Sequence, residues 1–230
     1  ARVPVLVAHD AVFEPRIAHV LAAIQSVDGR RATDVHIERR GDPETTGMPR
    51  SREHFLAWVY EAVMHDMSVC NRFAGRASPD DVSVSDLRVD TARPRLRVQA
   101  TYATMTATID LDHEPEAPLR QSFAIRTDDS EWVGEAHAHS SSLLHRRPGA
   151  AAQAVAVTSD GGQHGRLIDR FLALVRDPSI EPDETCADGA RAVAAADEVV
   201  VAACREMAFF CAERIWARLG ERPKGSNATS

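Results

Sequence analysis

A single lysine, Lys224, stands among the 27 basic residues of the chain, and it lies in a polar tail. The folded part therefore offers no lysine for phosphate binding or catalysis. No G-x-G-x-x-G follows a strand-like segment. The nearest glycine pair, in Asp160-Gly161-Gly162, belongs to a late turn. Without such a turn, nothing cradles a pyrophosphate on a helix N-terminus. No apolar run approaches the roughly 20 residues that cross a bilayer, and no signal-like segment precedes the first strand. The four cysteines (Cys70, Cys186, Cys204 and Cys211) lack C-x-x-C spacing or a regular framework. Reduced thiols in a cytoplasmic protein are the expectation. A net charge of −7 gives no support to a nucleic-acid partner or an anionic membrane surface. The chain starts at Ala1, which fits a clipped methionine or an excised segment equally.

What is present is ordinary for a globular protein: 230 residues, 27% charged and 44% hydrophobic. We expect one domain over residues 1–222 and a disordered tail over 223–230, where GSNATS is low in apolar content. VPVLVAH (Val3 to His9) reads as a strand. Phe13-Glu14-Pro15 opens a helix through Gln25, with Ile17, Val20, Leu21 and Ile24 at helical spacing. Ala32 to Arg39 alternates as a strand, GDPETTGMPRS is a loop, and Glu53 to Phe73 is a second helix. From Val82 to Asp160 six short segments of period two follow: VSVSDLRVD, RLRVQATY, MTATIDLD, LRQSFAIRT, SEWVGEAHAH and AAQAVAVTS. They predict an antiparallel meander, polar on one face. Helices over Gly162–Arg176 and about Ala187–Leu219 close the chain, the last with a small, closely packing alanine face. The fold class is α+β: an open, mostly antiparallel sheet with helices on one face. Its other face needs water or a partner, and we expect a homodimer through it.

One segment carries candidate chemistry. In Tyr60-Glu-Ala-Val-Met-His-Asp-Met-Ser-Val-Cys70, Glu61 and His65 are i and i+4 on a helix and meet on one face. A carboxylate beside an imidazole favours the charged ring, and the pair can act as a general acid/base unit. A helix-surface ion pair or a satisfied core histidine is the plainer alternative. Asp66 points about 100° away and is expected to contribute little to that chemistry. His137 and His139 share a face if extended and could form a metal pair, although a polar strand explains them as well. The acidic run Asp110-Leu-Asp112-His113-Glu114 could attract a cation, or simply end a strand. No metal site is assigned.

Three motifs in order resemble the C-terminal domain of the Gfo/Idh/MocA family of NAD(P)-dependent sugar and polyol oxidoreductases. They are VLVAHDAVFEP, YEAVMHDMSV and HGRLIDRFLALVRDPSIEPDETCADGARAVAAADEVVVAA. The resemblance implies that Glu61 and His65 line a substrate pocket, with His65 as the acid/base. It also implies substrate-binding roles for His9, Asp10 and His164. Glu61 stands where the family has aspartate, which lengthens the arm by one methylene. Val12 replaces the arginine of the family's Arg-Phe turn, and Met67-Ser68 stand where a further aspartate is common. The family's nucleotide-binding Rossmann half has no counterpart in these residues. The chain alone is thus expected to bind no cofactor, and NAD(P) is implied only if that half is supplied.

These readings give three expectations. The first is the substrate-binding and acid/base half of a sugar or polyol dehydrogenase, taking a small-molecule substrate. The second is a cofactor-independent isomerase, lyase or cyclase that uses Glu61 and His65 for proton transfer. The third is a non-catalytic dimerisation partner.

Overall fold

The computed structural model describes residues 6, 10–42, 52–88, 93–135, 142–157, 162–177, 179–180, 182 and 185–220. Of the expected first strand, Val3 to His9, only Leu6 is among them, and the tail 223–230 lies outside them. A 3-10 turn, Asp10–Phe13, leads into α1 (Pro15–Gln25). Pro15 occupies the first turn, where its missing N–H costs nothing. The Glu14 carboxylate caps the helix, accepting from the backbone N–H groups of Arg16 (2.8 Å) and Ile17 (3.0 Å). Ile17, Val20 and Ile24 bury one side of α1, as their spacing predicts.

Strand β1 (Asp34–Asp42) and α2 (Arg52–Phe73) follow, then β2 (Asp81–Arg88), β3 (Arg95–Tyr102), β4 (Met105–Pro118) and β5 (Arg120–Arg126). The sheet is completed by β6 (Glu131–Glu135), β7 (Leu143–Arg146) and β8 (Gln153–Ala154). Helices α3 (Gly162–Arg176) and α4 (Cys186–Gly220) come last. All four helices lie within a residue or two of the ranges read from the sequence.

The strand order is β2-β3-β4-β1-β5-β6-β7-β8. Here the meander expectation needs correcting. β4 and β5 are consecutive in sequence but not in the sheet, because β1 lies between them. It pairs in parallel with β4 and antiparallel with β5. The sheet is therefore mixed, with this one parallel pairing among the described residues. Val35 and Ile37 supply the reason. Both are buried under the helices in the middle of the sheet, where the backbone N–H and C=O groups of β1 need partners on both edges.

The chain passes from β4 to β5 across the end of β1, and Gly41 makes this possible. Its φ is 126°, and a Cβ there would lie 2.5 Å from the Pro118 carbonyl oxygen and 2.7 Å from the Leu119 Cα. Only glycine leaves room for that crossing. Two further differences are local. Leu143–Arg146 forms a strand that its shortness concealed, and among the described residues AAQAVAVTS supplies only the two-residue β8.

Alternation along the strands sorts the two faces. Leu96, Val98, Ala100 and Tyr102 of β3, Ile109 and Leu111 of β4, and Phe123 and Ile125 of β5 face the helices and are buried. Helix α2 packs on β1 and β4, while α4 lies against α2 and covers β2. The buried alanines Ala192, Ala195, Ala196 and Ala203 let α4 approach closely. The opposite sheet face is polar, and ion pairs cross its strands. Arg97 meets Asp110 (2.6 Å), Arg40 meets Glu114 (2.8 Å), and Arg126 meets Glu131 (2.9 Å).

Candidate functional site

Helix α2 places its acids and histidine in three different environments. Glu61 is exposed, His65 is half-buried, and Asp66 is completely buried. At 100° per residue, Glu61 and His65 lie on one flank and Asp66 turns under the helix toward the sheet. There Asp66 is held from two strands. Arg39 of β1 donates through Nε and Nη2, both at 2.7 Å, and Gln121 of β5 donates through Nε2 at 3.0 Å. Arg39 and Gln121 are direct partners in the β1–β5 register, which is why both reach the same carboxylate. Asp66, set apart from the Glu61–His65 pair by its phase on the helix, thus has a structural place. It is the buried anchor of α2, because its side chain follows the apolar arc into the core.

A signal for this anchor exists in the sequence. Arg39 continues the inward phase of Val35 and Ile37, and Gln121 that of Phe123 and Ile125. A polar residue at an inward position needs a buried partner. On the same side of α2 as His65, seven residues earlier, buried Trp58 meets His113 of β4 edge-on at 6.0 Å. His113 pairs with Gly41 in the β1–β4 register. The end of β1 therefore gathers Arg39, Asp66, Gln121, Trp58 and His113, with His65 beside them on α2.

The remaining candidates are distributed as follows. His9 lies outside the described residues, as does the side chain of Asp10, whose backbone opens the 3-10 turn. That turn packs against both α2 and α3, the helices that carry His65 and His164. His164 itself is exposed on α3. A cleft of about 520 Å³ opens between α1, α3 and the end of α2, lined by Val12, Phe13, Leu21, Arg72, Arg166 and Arg170 among others. Glu61, His65 and His164 do not line it.

His137 and His139 fall outside the described residues. Among the described residues, no cluster of three or more metal-binding side chains occurs. The acidic run is committed to arginines: Asp110 to Arg97, Asp112 to Arg93 (3.1 Å) and Glu114 to Arg40. Burial alone would raise the Asp110 pKa, but hydrogen bonds from Arg97 and His36 (2.9 Å) prevail and hold it below the usual range. His145 stacks on Trp132 at 4.6 Å, and its pKa is lowered by burial, with Arg147 and Arg30 adding to the effect. Cys70, Cys186 and Cys204 are free thiols. Burial pushes the Cys70 thiol far up, which leaves it inert.

Neither a family model nor a curated protein matches the sequence. Solved structures do match the fold. A UDP-N-acetylglucosamine 3-dehydrogenase from Acidithiobacillus ferrooxidans superposes with a TM-score of 0.66 at 18% identity. The match covers 86% of this chain and 61% of that one. A Gfo/Idh/MocA family oxidoreductase from Vibrio cholerae gives 0.63 at 14% identity, over 91% of this chain and 63% of the other. Levoglucosan dehydrogenase gives 0.67 at 12% identity, over 86% and 64%. The chain has the fold of the Gfo/Idh/MocA C-terminal domain. It spans about three-fifths of the length of these oxidoreductases. Among the described residues, no helix is long and apolar enough to cross a membrane.

Proposed function

We propose that this chain is the substrate-binding and acid/base half of a cytoplasmic oxidoreductase acting on a sugar or polyol. The observation that carries the reading is the shared fold with dehydrogenases of such compounds. Glu61 and His65 are the proposed acid/base pair. His65 is half-buried on the flank of α2 and Glu61 stands one turn before it, exposed. In this reading Glu61 orients the imidazole and favours its charged form, while His65 exchanges a proton with a substrate hydroxyl or carbonyl. Asp10 and His164, on the 3-10 turn and α3, are proposed to contact substrate, and so is His9. A homodimer through the open sheet face belongs to the same proposal. In such a dimer the uncovered face would meet its own copy about a two-fold axis.

Hydride transfer would need NAD(P), and these residues do not fit that group by themselves. Dinucleotides bind in the crevice beyond the carboxyl ends of parallel strands, on a glycine-rich turn. Here the parallel pair β1–β4 ends at Gly41, where Pro118 and Leu119 fill the space. No step through the cofactor is therefore assigned to this chain, and a separate nucleotide-binding half would have to supply it. The same observation favours one second reading, in which Glu61 and His65 catalyse cofactor-independent proton transfer.

The test is turnover of a sugar and polyol panel with NAD and NADP, using the protein that contains these residues. His65→Ala should lower the rate by about 10² to 10⁴, the usual contribution of a general acid/base. Glu61→Gln should retain the fold and shift the pH optimum downward, since a neutral amide no longer favours the charged imidazole. Near-full activity of His65→Ala would remove the pair from the mechanism. Turnover without nucleotide would select the second reading.

A further inference from the structure

The cleft between α1, α3 and the end of α2 carries apolar and cationic side chains on different walls. Phe13 of the 3-10 turn and Leu21 of α1 belong to the apolar wall. Arg72 from the last turn of α2, with Arg166 and Arg170 of α3, forms the cationic one. All three arginines are half-buried. Asp169 is the one carboxylate among the described lining residues, so these four side chains leave two positive charges around the space. On a chain of net charge −7 this is a local reversal of sign. Helix stability does not explain it. A cation in the last turn of α2 favours the helix dipole, which accounts for Arg72 alone. Arg166 and Arg170 stand away from the last turn of α3, and like charges at i and i+4 weaken a helix. The volume, about 520 Å³, is that of a small-molecule site.

We propose that this cleft binds a small organic phosphate, its phosphoryl oxygens on the three arginines and its organic body against Phe13 and Leu21. A phosphate monoester carries about −1.5 to −2 charges at neutral pH, which matches the two positive charges around the space. Guanidinium forks fit phosphate oxygens two bonds at a time. Each guanidinium has five N–H donors, so one that is engaged within the protein keeps others for a ligand. The apolar wall excludes water and thereby strengthens the attraction between these charges. A carboxylate is the poorer occupant. One arginine fork satisfies both of its oxygens, and the charge of the other two arginines would go largely unused. Glu61, His65 and His164 do not line the cleft, so the inference stands apart from the oxidoreductase reading.

The test is isothermal titration calorimetry of the native protein that contains these residues, with phenyl phosphate as the probe. A dissociation constant of about 1 mM or tighter is expected for so small a ligand. Arg166→Gln and Arg170→Gln should each weaken it roughly 10-fold or more, as loss of a hydrogen bond to a charged group does. Arg176→Gln, exposed in the last turn of α3 and outside the cleft, should bind as the wild type does. Circular dichroism separates lost binding from lost folding. Should an arginine variant unfold, Ala22→Trp gives the same reading, because it narrows the cleft from an exposed position on α1. Inorganic phosphate, which lacks the ring, and benzoate, which lacks the second charge, should each bind about 10-fold more weakly or worse. Equal binding of inorganic phosphate would remove the organic body from the proposal, and equal binding of benzoate would remove the phosphate; either result overturns it. So would an absence of binding at millimolar probe, or binding that survives all three cleft variants. Displacement of the probe by NAD(H) would place it at a nucleotide site instead and overturn the cleft as its seat.

Discussion

Two arginine–aspartate pairs with nearly identical geometry lie on opposite faces of the sheet. Arg39 grips Asp66 with two bonds of 2.7 Å on the helix side, and Arg97 grips Asp110 at 2.6 and 3.0 Å on the open side. Their surroundings separate them. The Asp66 side chain is fully buried and that of Arg39 is 13% exposed, whereas the Arg97 side chain is 47% exposed. Removing one partner of a buried pair leaves a charge without compensation in the core. Removing one partner of a water-facing pair leaves a charge that solvent and salt can screen. Hydrogen-bond geometry is thus a poor guide to energetic importance, and burial decides which pair matters.

The largest expected effect comes from Asp66→Ala. It should destabilise the fold by about 3–5 kcal/mol, the range for breaking a buried ion pair. Urea unfolding monitored by circular dichroism measures it. A loss below roughly 1 kcal/mol would place Asp66 with surface pairs and erase the contrast. Next comes the double variant Arg39→Met with Asp66→Leu. Replacing both charges with apolar groups should recover most of the stability lost in the single variant. If the double variant is no better than Asp66→Ala, the pair fixes the placement of α2 over β1 and β5 in a way that apolar packing cannot reproduce.

On the open face, Arg97→Ala should change stability by about 1 kcal/mol or less, and by still less at high salt. The smallest effect is the pH dependence at Asp110. Its carboxyl is held below the usual value, so its stabilisation is present above the ordinary aspartate pKa of about 3.9. That contribution is lost as pH falls through the depressed folded-state value. Asp110→Asn should therefore differ from the wild type near neutrality and converge with it at more acidic pH. Urea midpoints measured across that range would show the convergence.

Much of the fold was legible locally. Pro15 and the Ile17–Val20–Ile24 spacing located α1, and the alanine face of α4 signalled a close helix contact. The alternation in RLRVQATY showed which side of β3 would be wet. The place of β1 was not legible, because nothing in DVHIERRGD states which strands flank it. That depends on Gly41 admitting the Pro118–Leu119 crossing almost eighty residues later. For the candidate site, the helical spacing brought Glu61 and His65 to one flank of α2. The same spacing turned Asp66 away from them, and the structure shows that this direction leads into the core.

What the sequence determined by itself were the quantities set by near neighbours: helix extents, caps, strand alternation and the phase of each side chain around its helix. These depend on backbone geometry that repeats every two or 3.6 residues. Tertiary structure alone decided the insertion of β1, the burial of Asp66 against Arg39 and Gln121, and the cleft that Arg72 shares with Arg166 and Arg170. Each depends on which distant segment occupies the adjoining space, and on how much water that segment excludes.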